Sequence, residues 1–206
     1  MTLLFVLYMA GLTASAMTGA LAAGRRSMDW VGVLIIAAVT ALGGGSTRDV
    51  LLGHYPLSWV AEPWYLGVTA GAALVTVLVA RYLEYLKYTF LFLDAIGLVV
   101  STLIGCDVAT QMGQPISIVV LSGMITGCVG GVLRDVLCNQ VPLLFSSELY
   151  ASVSVMVGAI YVGGRELGID HEVVTVTAVT AGLTLRLLAV RYRWGMPKFV
   201  YNKDWF

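Results

Sequence analysis

The sequence predicts an all-α integral membrane protein of seven transmembrane helices, arranged as two inverted three-helix repeats plus a seventh helix. Three observations carry this reading. Of 206 residues, 59% are hydrophobic and only 12% charged, with a mean hydropathy of +0.88. A soluble domain of this size carries about twice that charge. The apolar residues fall into seven runs near the 20 or so residues that a spanning helix needs. A nine-residue pattern then occurs twice, 86 residues apart.

The first run, 2–23, is apolar from its start, with neither a basic leader nor a persuasive cleavage site, and reads as a retained helix rather than a signal peptide. The others lie at 30–53, 63–81, 89–110, 115–139, 146–163 and 172–190. Short breaks between them hold most of the charge: Arg25-Arg26, His54-Tyr55-Pro56, Arg81 to Lys87, Asp107, Arg165-Glu166 and the tail after Arg191. Backbone groups in lipid must be satisfied within the segment, so seven runs mean seven helices. The alternating segments of a membrane barrel are absent. No linker is long enough for a second domain, so residues 1–206 form a single transmembrane domain. Repeat 1 covers 1–85, repeat 2 covers 87–167, the extra helix 171–190 and the tail 191–206.

Basic loop residues set the orientation. One side receives Arg25, Arg26, Arg81, Lys87, Arg191, Arg193, Lys198 and Lys203, and the other receives Arg165. This places the C-terminus in the cytoplasm, the N-terminus outside, and the chain in the inner (plasma) membrane. Trp30, Trp59, Trp64, Trp194 and Trp205 fall at or beyond run ends, where interfacial aromatics belong.

The internal repeat pairs Gly43-Gly44-Gly45-Ser46-Thr47-Arg48-Asp49-Val50-Leu51 with Val129-Gly130-Gly131-Val132-Leu133-Arg134-Asp135-Val136-Leu137. The same offset pairs Pro56 with Pro142, Glu62 with Glu148 and Trp64 with Tyr150, and upstream Gly11 with Gly97 and Gly19 with Gly105. A duplicated unit with an odd number of helices must enter the membrane inverted. Inverted repeats with broken helices and a path at their interface characterise many transporters. Gly43-Gly44-Gly45 lies two-thirds along the second run, and Gly127, Gly130 and Gly131 lie at the matching depth of the fifth. Interior glycine costs about 1 kcal/mol relative to alanine, so these sites are expected to kink or open the helix. The alternative is close helix packing, which small residues allow.

Arg48-Asp49 and Arg134-Asp135 are charges at membrane depth, where insertion scales assign about 2.5–3.5 kcal/mol to each. Neighbours on a helix diverge by about 100°, so each arginine is expected to pair away from its own neighbour, either between the repeats or to another helix. These pairs either line a path and gate it, brace the helices, or snorkel to the interfaces. Asp94 is a third acid, and its repeat counterpart is Tyr8. It is a candidate cation site, or else a hydrogen-bond acceptor or partner of Lys87. Arg186 reads as a snorkelling side chain, and Asp107, Glu62 and Glu148 as solvated helix ends. Ser46, Thr47 and Thr126 are candidates for a polar lining, although such hydroxyls commonly bond their own backbone.

Several classes are excluded. With 12 basic and 12 acidic residues the chain offers no surface for nucleic acid. No P-loop or dinucleotide fingerprint is present. His54 and His171 are far apart, and Cys106, Cys128 and Cys138 lack metal spacing and read as small packing residues. No cofactor, no metal and no enzymatic activity are expected.

On the doubled Gly-Gly-x-x-Arg-Asp pattern, with Asp94-Ala95-Ile96-Gly97 before the second unit, the chain resembles the bacterial relatives of the trimeric intracellular cation (TRIC) channels. That group also carries the description glycine transporter. The resemblance spans essentially the whole chain. It implies a symmetric homotrimer, one pore per protomer between kinked second and fifth helices, and passive conduction of monovalent cations, chiefly potassium. It maps the glycine kinks onto Gly43 to Gly45 and Gly130-Gly131. Val129 departs from the triplet, with Gly127 two residues before it as the compensating glycine. The animal members' basic gating and lipid-binding residues have no secure match. Expected partners are membrane lipid, a permeant potassium or sodium ion, and two further copies of the chain. A secondary transporter of a small zwitterion such as glycine remains the alternative, since arginine could take a carboxylate and aspartate an amine. A scaffold or lipid-binding trimer, with purely structural ion pairs, is a third.

Overall fold

The computed structural model describes residues 3–80, 82, 86–146 and 149–195. Arg81, Glu148 and the tail with Lys198, Lys203 and Trp205 lie outside the described residues. The described residues form helices throughout: α1 Leu3–Arg25, α2 Trp30–Leu52, α3 Ser58–Ala61, α4 Trp64–Ala80, α5 Leu86–Gln111, α6 Ile116–Leu137, α7 Leu143–Ser146, α8 Tyr150–Glu166 and α9 His171–Tyr192. Five of them (α1, α2, α5, α6 and α9) are long and apolar enough to cross a membrane. The two remaining long elements, α4 and α8, have 17 residues each. At 1.5 Å per residue they reach about 26 Å, slightly less than the roughly 30 Å of a hydrocarbon core. α8 begins four residues after the start of the sixth apolar run and ends three residues beyond it; Ser146, the run's first residue, ends α7, a separate helix of four residues.

Local chemistry fixes the ends. Asp29 caps α2, its carboxylate accepting from the Gly32 N–H at 2.7 Å. Asp170 caps α9 by accepting from the N–H groups of Glu172 and Val173. Each cap satisfies donors that a helix start leaves open. α2 and α6 stop alike, on Gly53 at φ 68° and Asn139 at φ 50°. These are the residue types that accept the left-handed C-terminal position, and they occupy equivalent sites in the two halves.

The two halves share one helical order, α1-α2-α3-α4 and α5-α6-α7-α8. Their packing is equivalent too: α1 on α2 and α4, with α2 on α4, matches α5 on α6 and α8, with α6 on α8. α9 packs on α5 and α8. Across the halves, a Cβ added to Gly44 would collide with the Thr126 carbonyl, and one on Gly130 with the Thr40 carbonyl. Thr40 and Thr126 are themselves repeat equivalents. Because residue 40 meets 130 while 44 meets 126, α2 and α6 run antiparallel. α1 and α5 do the same, with Gly11 against Val100 and Gly97 against Ser15.

The opened turn expected at the glycines is not there. α2 and α6 are unbroken through Gly43–Gly45 and Gly127–Gly131. Gly44 and Gly130 bring two backbones together instead, which is the close-packing alternative.

Polarity is inside out. Val31, Ile35, Leu74, Leu78, Leu121 and Val176 are among many exposed large apolar side chains, while Arg48, Asp49, Asp94, Arg134, Asp135 and Arg186 are buried. Two apolar clusters flank these charges. One joins α5, α6, α8 and α9 around Leu98, Val99, Val153, Val157 and Ala178. The other joins α1, α2 and α4 around Ala16, Ala20, Ile36 and Ala73. The three cysteines are buried and free, packed among these helices.

Asp107 corrects a sequence expectation. It lies within α5 rather than in solvent, only 6% exposed. It accepts from the Tyr161 hydroxyl at 2.8 Å and the Gln111 amide at 2.6 Å, with the His171 ring 3.8 Å away. These partners tie the start of α9 to α5 and α8. Tyr161→Phe leaves a buried carboxylate one donor short, and hydrogen bonds to charged groups contribute about 1.5–3 kcal/mol. The variant should unfold at a lower temperature in detergent, and an unchanged melting curve would show that Asp107 is satisfied otherwise.

Candidate functional site

A polar cavity of about 50 Å³ lies where α1, α2, α5 and α6 meet, at the junction of the two halves. At about 10–15 Å³ each, it has room for a few waters. Its wall includes Gly45, Ser46 and Arg48 from α2 and Thr126, Gly127, Gly130, Gly131 and Arg134 from α6. Polar lining also comes from Tyr8, Ser15 and Thr18 of α1, Thr40 of α2, Ser58 and Trp59 of α3, Asp94 and Ser101 of α5, and Tyr150 of α8. Of the candidates read from the sequence, Gly43, Gly44, Thr47, Asp49 and Asp135 lie off this wall. The Thr47 hydroxyl is spent on its own helix, donating to the Gly43 carbonyl at 2.8 Å. Ser46 donates likewise to Leu42 and accepts from the Trp59 indole. Thr126 donates to the Ser122 carbonyl.

The antiparallel crossing puts the two arginines at opposite ends of the cavity. Arg134 lies one turn beyond residue 130, level with residue 36 of α2. Its Cα and that of Arg48 are therefore about 18 Å apart along the axis, at 1.5 Å per residue.

Each arginine folds back onto its own neighbour. Arg48 Nε and Nη2 donate to Asp49 Oδ1 at 2.9 and 2.6 Å. Arg134 Nε donates to Asp135 Oδ1 at 2.8 Å. Among the described residues neither arginine forms an ion pair across the two repeats, but Arg134 does reach another helix as expected, at Asp94 of α5. The arginine stem is long enough to wrap around the helix over the 100° that separates neighbours, so backbone divergence alone did not decide the partner. The other carboxylate oxygen does a second job in both halves. Asp49 Oδ2 accepts from the backbone N–H of Ser58, the first residue of α3, at 3.2 Å, and from its hydroxyl at 2.9 Å. Asp135 Oδ2 accepts from the backbone N–H of Leu143, the first residue of α7, at 2.9 Å. Arg-Asp thus fastens the short helix that follows each gap. His54 adds its Nδ1 to Asp49 Oδ1 at 3.0 Å.

The two ends differ beyond that shared core. Arg134 Nη1 also donates to Asp94 Oδ1 at 2.9 Å and to the Thr18 hydroxyl at 3.2 Å, and its guanidinium lies 4.7 Å over the Phe90 ring. The Tyr150 hydroxyl points at Asp94 Oδ1 from 3.4 Å. Asp94 is therefore already partnered by Arg134, and Lys87, on the exposed first turn of α5, is not its counter-ion. Arg186 does not snorkel. It is fully buried, stacked 4.7 Å over Tyr150, with Nη2 3.9 Å from Asp94 Oδ2. The sequence held one clue to this: Asp94 lacks a repeat counterpart, and Arg186 is the basic residue within the run outside the repeats. Thr18 and Tyr150 carried no comparable signal.

An apolar exterior, buried charges within the spans with the remaining charges at helix ends and loops, and a duplicated helical unit around a cavity define a multi-pass helical membrane protein. The family model described as "Glycine transporter" matches residues 5–81 and again 91–166, one match per half. The UPF0126 membrane protein of Vibrio cholerae is 36% identical over 203 residues, covering 98% of this chain and 85% of the relative. The UPF0126 inner membrane protein YadS of Escherichia coli K12 is 33% identical over 204 residues, covering 98% and 99%. The crystal structure of the TRIC trimeric intracellular cation channel orthologue from Rhodobacter sphaeroides superposes with a TM-score of 0.90 at 32% identity, covering 94% of this chain and 100% of that one. The chain belongs to this family, that of the TRIC channels and their bacterial UPF0126 relatives, whose sequence model bears the glycine-transporter label.

Proposed function

We propose that the protein is a passive, potassium-permeable channel for monovalent cations, working as a homotrimer with one path in each protomer. The path runs between α2 and α6 through the polar cavity. The observation that carries this reading is the cavity's position, at the antiparallel crossing of equivalent helices and between two buried Arg-Asp pairs. Binding or translocation at the interface of inverted repeats is the general arrangement in such proteins. Reciprocal contacts between equivalent residues support two inverted three-helix units, with α4 and α8 as the remaining spans and α9 as a seventh. The basic loops support a cytoplasmic C-terminus in the inner membrane, and the trimeric neighbour supports the assembly. No chemical reaction is part of this reading, and no cofactor beyond the permeant ion and bound lipid.

Paired arginines do not repel a cation as free ones would. Within each Arg-Asp pair the charges cancel, and hydroxyls and carbonyls along the wall can replace water around a weakly held ion. Asp49→Asn and Asp135→Asn each leave one arginine partly uncompensated beside the cavity. Both should lower single-channel potassium conductance while the protein still elutes as a trimer. Unaltered currents in both variants would place the path elsewhere.

Channel and carrier separate in proteoliposomes. Potassium-loaded vesicles should release potassium down its gradient as soon as a compensating proton path is supplied, with no saturable uptake of glycine. Saturable glycine uptake without potassium release would make the protein a carrier.

A further inference from the structure

Charge around the cavity is balanced. Arg48, Arg134 and Arg186 stand against Asp49, Asp94 and Asp135, all buried. Two of these pairs are built by the repeat, and the third is not. Asp94 stands where the first half has Tyr8, and Arg186 comes from α9, which has no counterpart in the duplicated order. The acid that breaks the symmetry is met by a base from the helix that breaks it.

The geometry makes Arg186 a backing charge rather than a lining one. It is absent from the cavity wall, whereas Asp94 and Tyr150 are on it. Arg134 is already divided between Asp135 and Asp94 Oδ1. Asp94 Oδ2 receives no hydrogen bond among the described residues, and it faces Arg186 Nη2 at 3.9 Å. Tyr150 links the two, stacking its ring under the Arg186 guanidinium and aiming its hydroxyl at Asp94.

We propose that Arg186 is a specificity-determining positioning residue: from behind the wall it offsets Asp94, so that a permeant cation meets a neutral cavity rather than a fixed negative site. The proposal rests on the cavity being the ion path. Conduction requires binding strong enough to admit the ion and weak enough to release it. Without Arg186, two carboxylates share Arg134 and the cavity gains one net negative charge. A unit charge several ångströms from an ion in a partly buried site changes its binding on the order of tenfold or more.

The test is single-channel recording of the full-length protein in planar bilayers over a range of potassium chloride concentrations. Arg186→Gln should lower the half-saturating potassium concentration on the order of tenfold, with a reduced maximal conductance and a higher potassium-to-chloride permeability ratio. Arg186→Lys keeps the charge and should keep both properties near wild type. The double variant Asp94→Asn/Arg186→Gln restores neutrality and should return both to wild type, which a merely structural role for Arg186 would not produce. A wild-type curve and ratio in Arg186→Gln would overturn the proposal. So would a double variant displaced as far as the single one. If Arg186→Gln fails to assemble, the neutral double variant and Arg186→Lys decide by the same readouts. A silent wild-type protein would instead remove the channel reading itself.

Discussion

Arg134→Met is expected to destabilise the folded protein by about 3–5 kcal/mol, the range for removing one partner of a buried ion pair. Arg134 is 1% exposed and holds two acids, Asp135 at 2.8 Å and Asp94 at 2.9 Å. Methionine fills similar volume, so packing over Phe90 is largely kept and the loss is electrostatic. Two carboxylates would then face each other with only Arg186 nearby. In detergent the variant should melt well below wild type or fail to assemble. The triple change Arg134→Met/Asp94→Asn/Asp135→Asn should recover much of the loss, because apolar or neutral replacements of a complete buried ion set are often tolerated. A single variant as stable as wild type would mean that water reaches this cluster.

Gly44→Ala and Gly45→Ala should move stability in opposite directions, although the residues are neighbours. A Cβ at Gly44 would meet the Thr126 carbonyl, backbone that cannot swing aside, so α2 and α6 must separate. Forced overpacking of this kind costs typically about 1–3 kcal/mol. At Gly45 the nearest atom to a Cβ is Arg48 Nη2, 3.8 Å away, so alanine fits. It should then gain the helix propensity that glycine lacks, about 1 kcal/mol. The repeat makes a further demand: Gly130→Ala should behave like Gly44→Ala, since it meets the equivalent Thr40 carbonyl. Thermal unfolding of the three variants in one detergent checks all of this. A Gly44→Ala protein as stable as Gly45→Ala would contradict the backbone contact.

The sequence carried the helical class, the duplicated unit and the charged motif because each is written in local pattern: apolar runs, a fixed offset, charges where lipid should be. It misled where side-chain reach or packing decided the outcome. Backbone angles suggested that Arg48 must look elsewhere, yet its stem wraps back to Asp49. Interior glycines suggested a broken helix, but the same residues admit a neighbouring backbone, and composition alone does not separate those uses. Arg186 sits near the end of an apolar run, where snorkelling costs little, and its burial depends on Asp94 and Tyr150 arriving from α5 and α8. Asp107 was misplaced for a related reason, since α5 runs four residues past it and Tyr161 covers it.

The measurement closest to the central claim is a thiol block of the cavity. Ser101 is a half-buried residue on the cavity wall, and Ser101→Cys changes little volume. Silver ion, comparable in size to potassium and strongly thiol-reactive, would be added during planar-bilayer recording in asymmetric potassium nitrate. Wild-type protein, whose three cysteines are buried, should show discrete openings that reverse near the potassium potential and survive silver, while Ser101→Cys openings should stop within the recording. Currents in Ser101→Cys that persist in silver would show that ions do not pass through the cavity between α2 and α6.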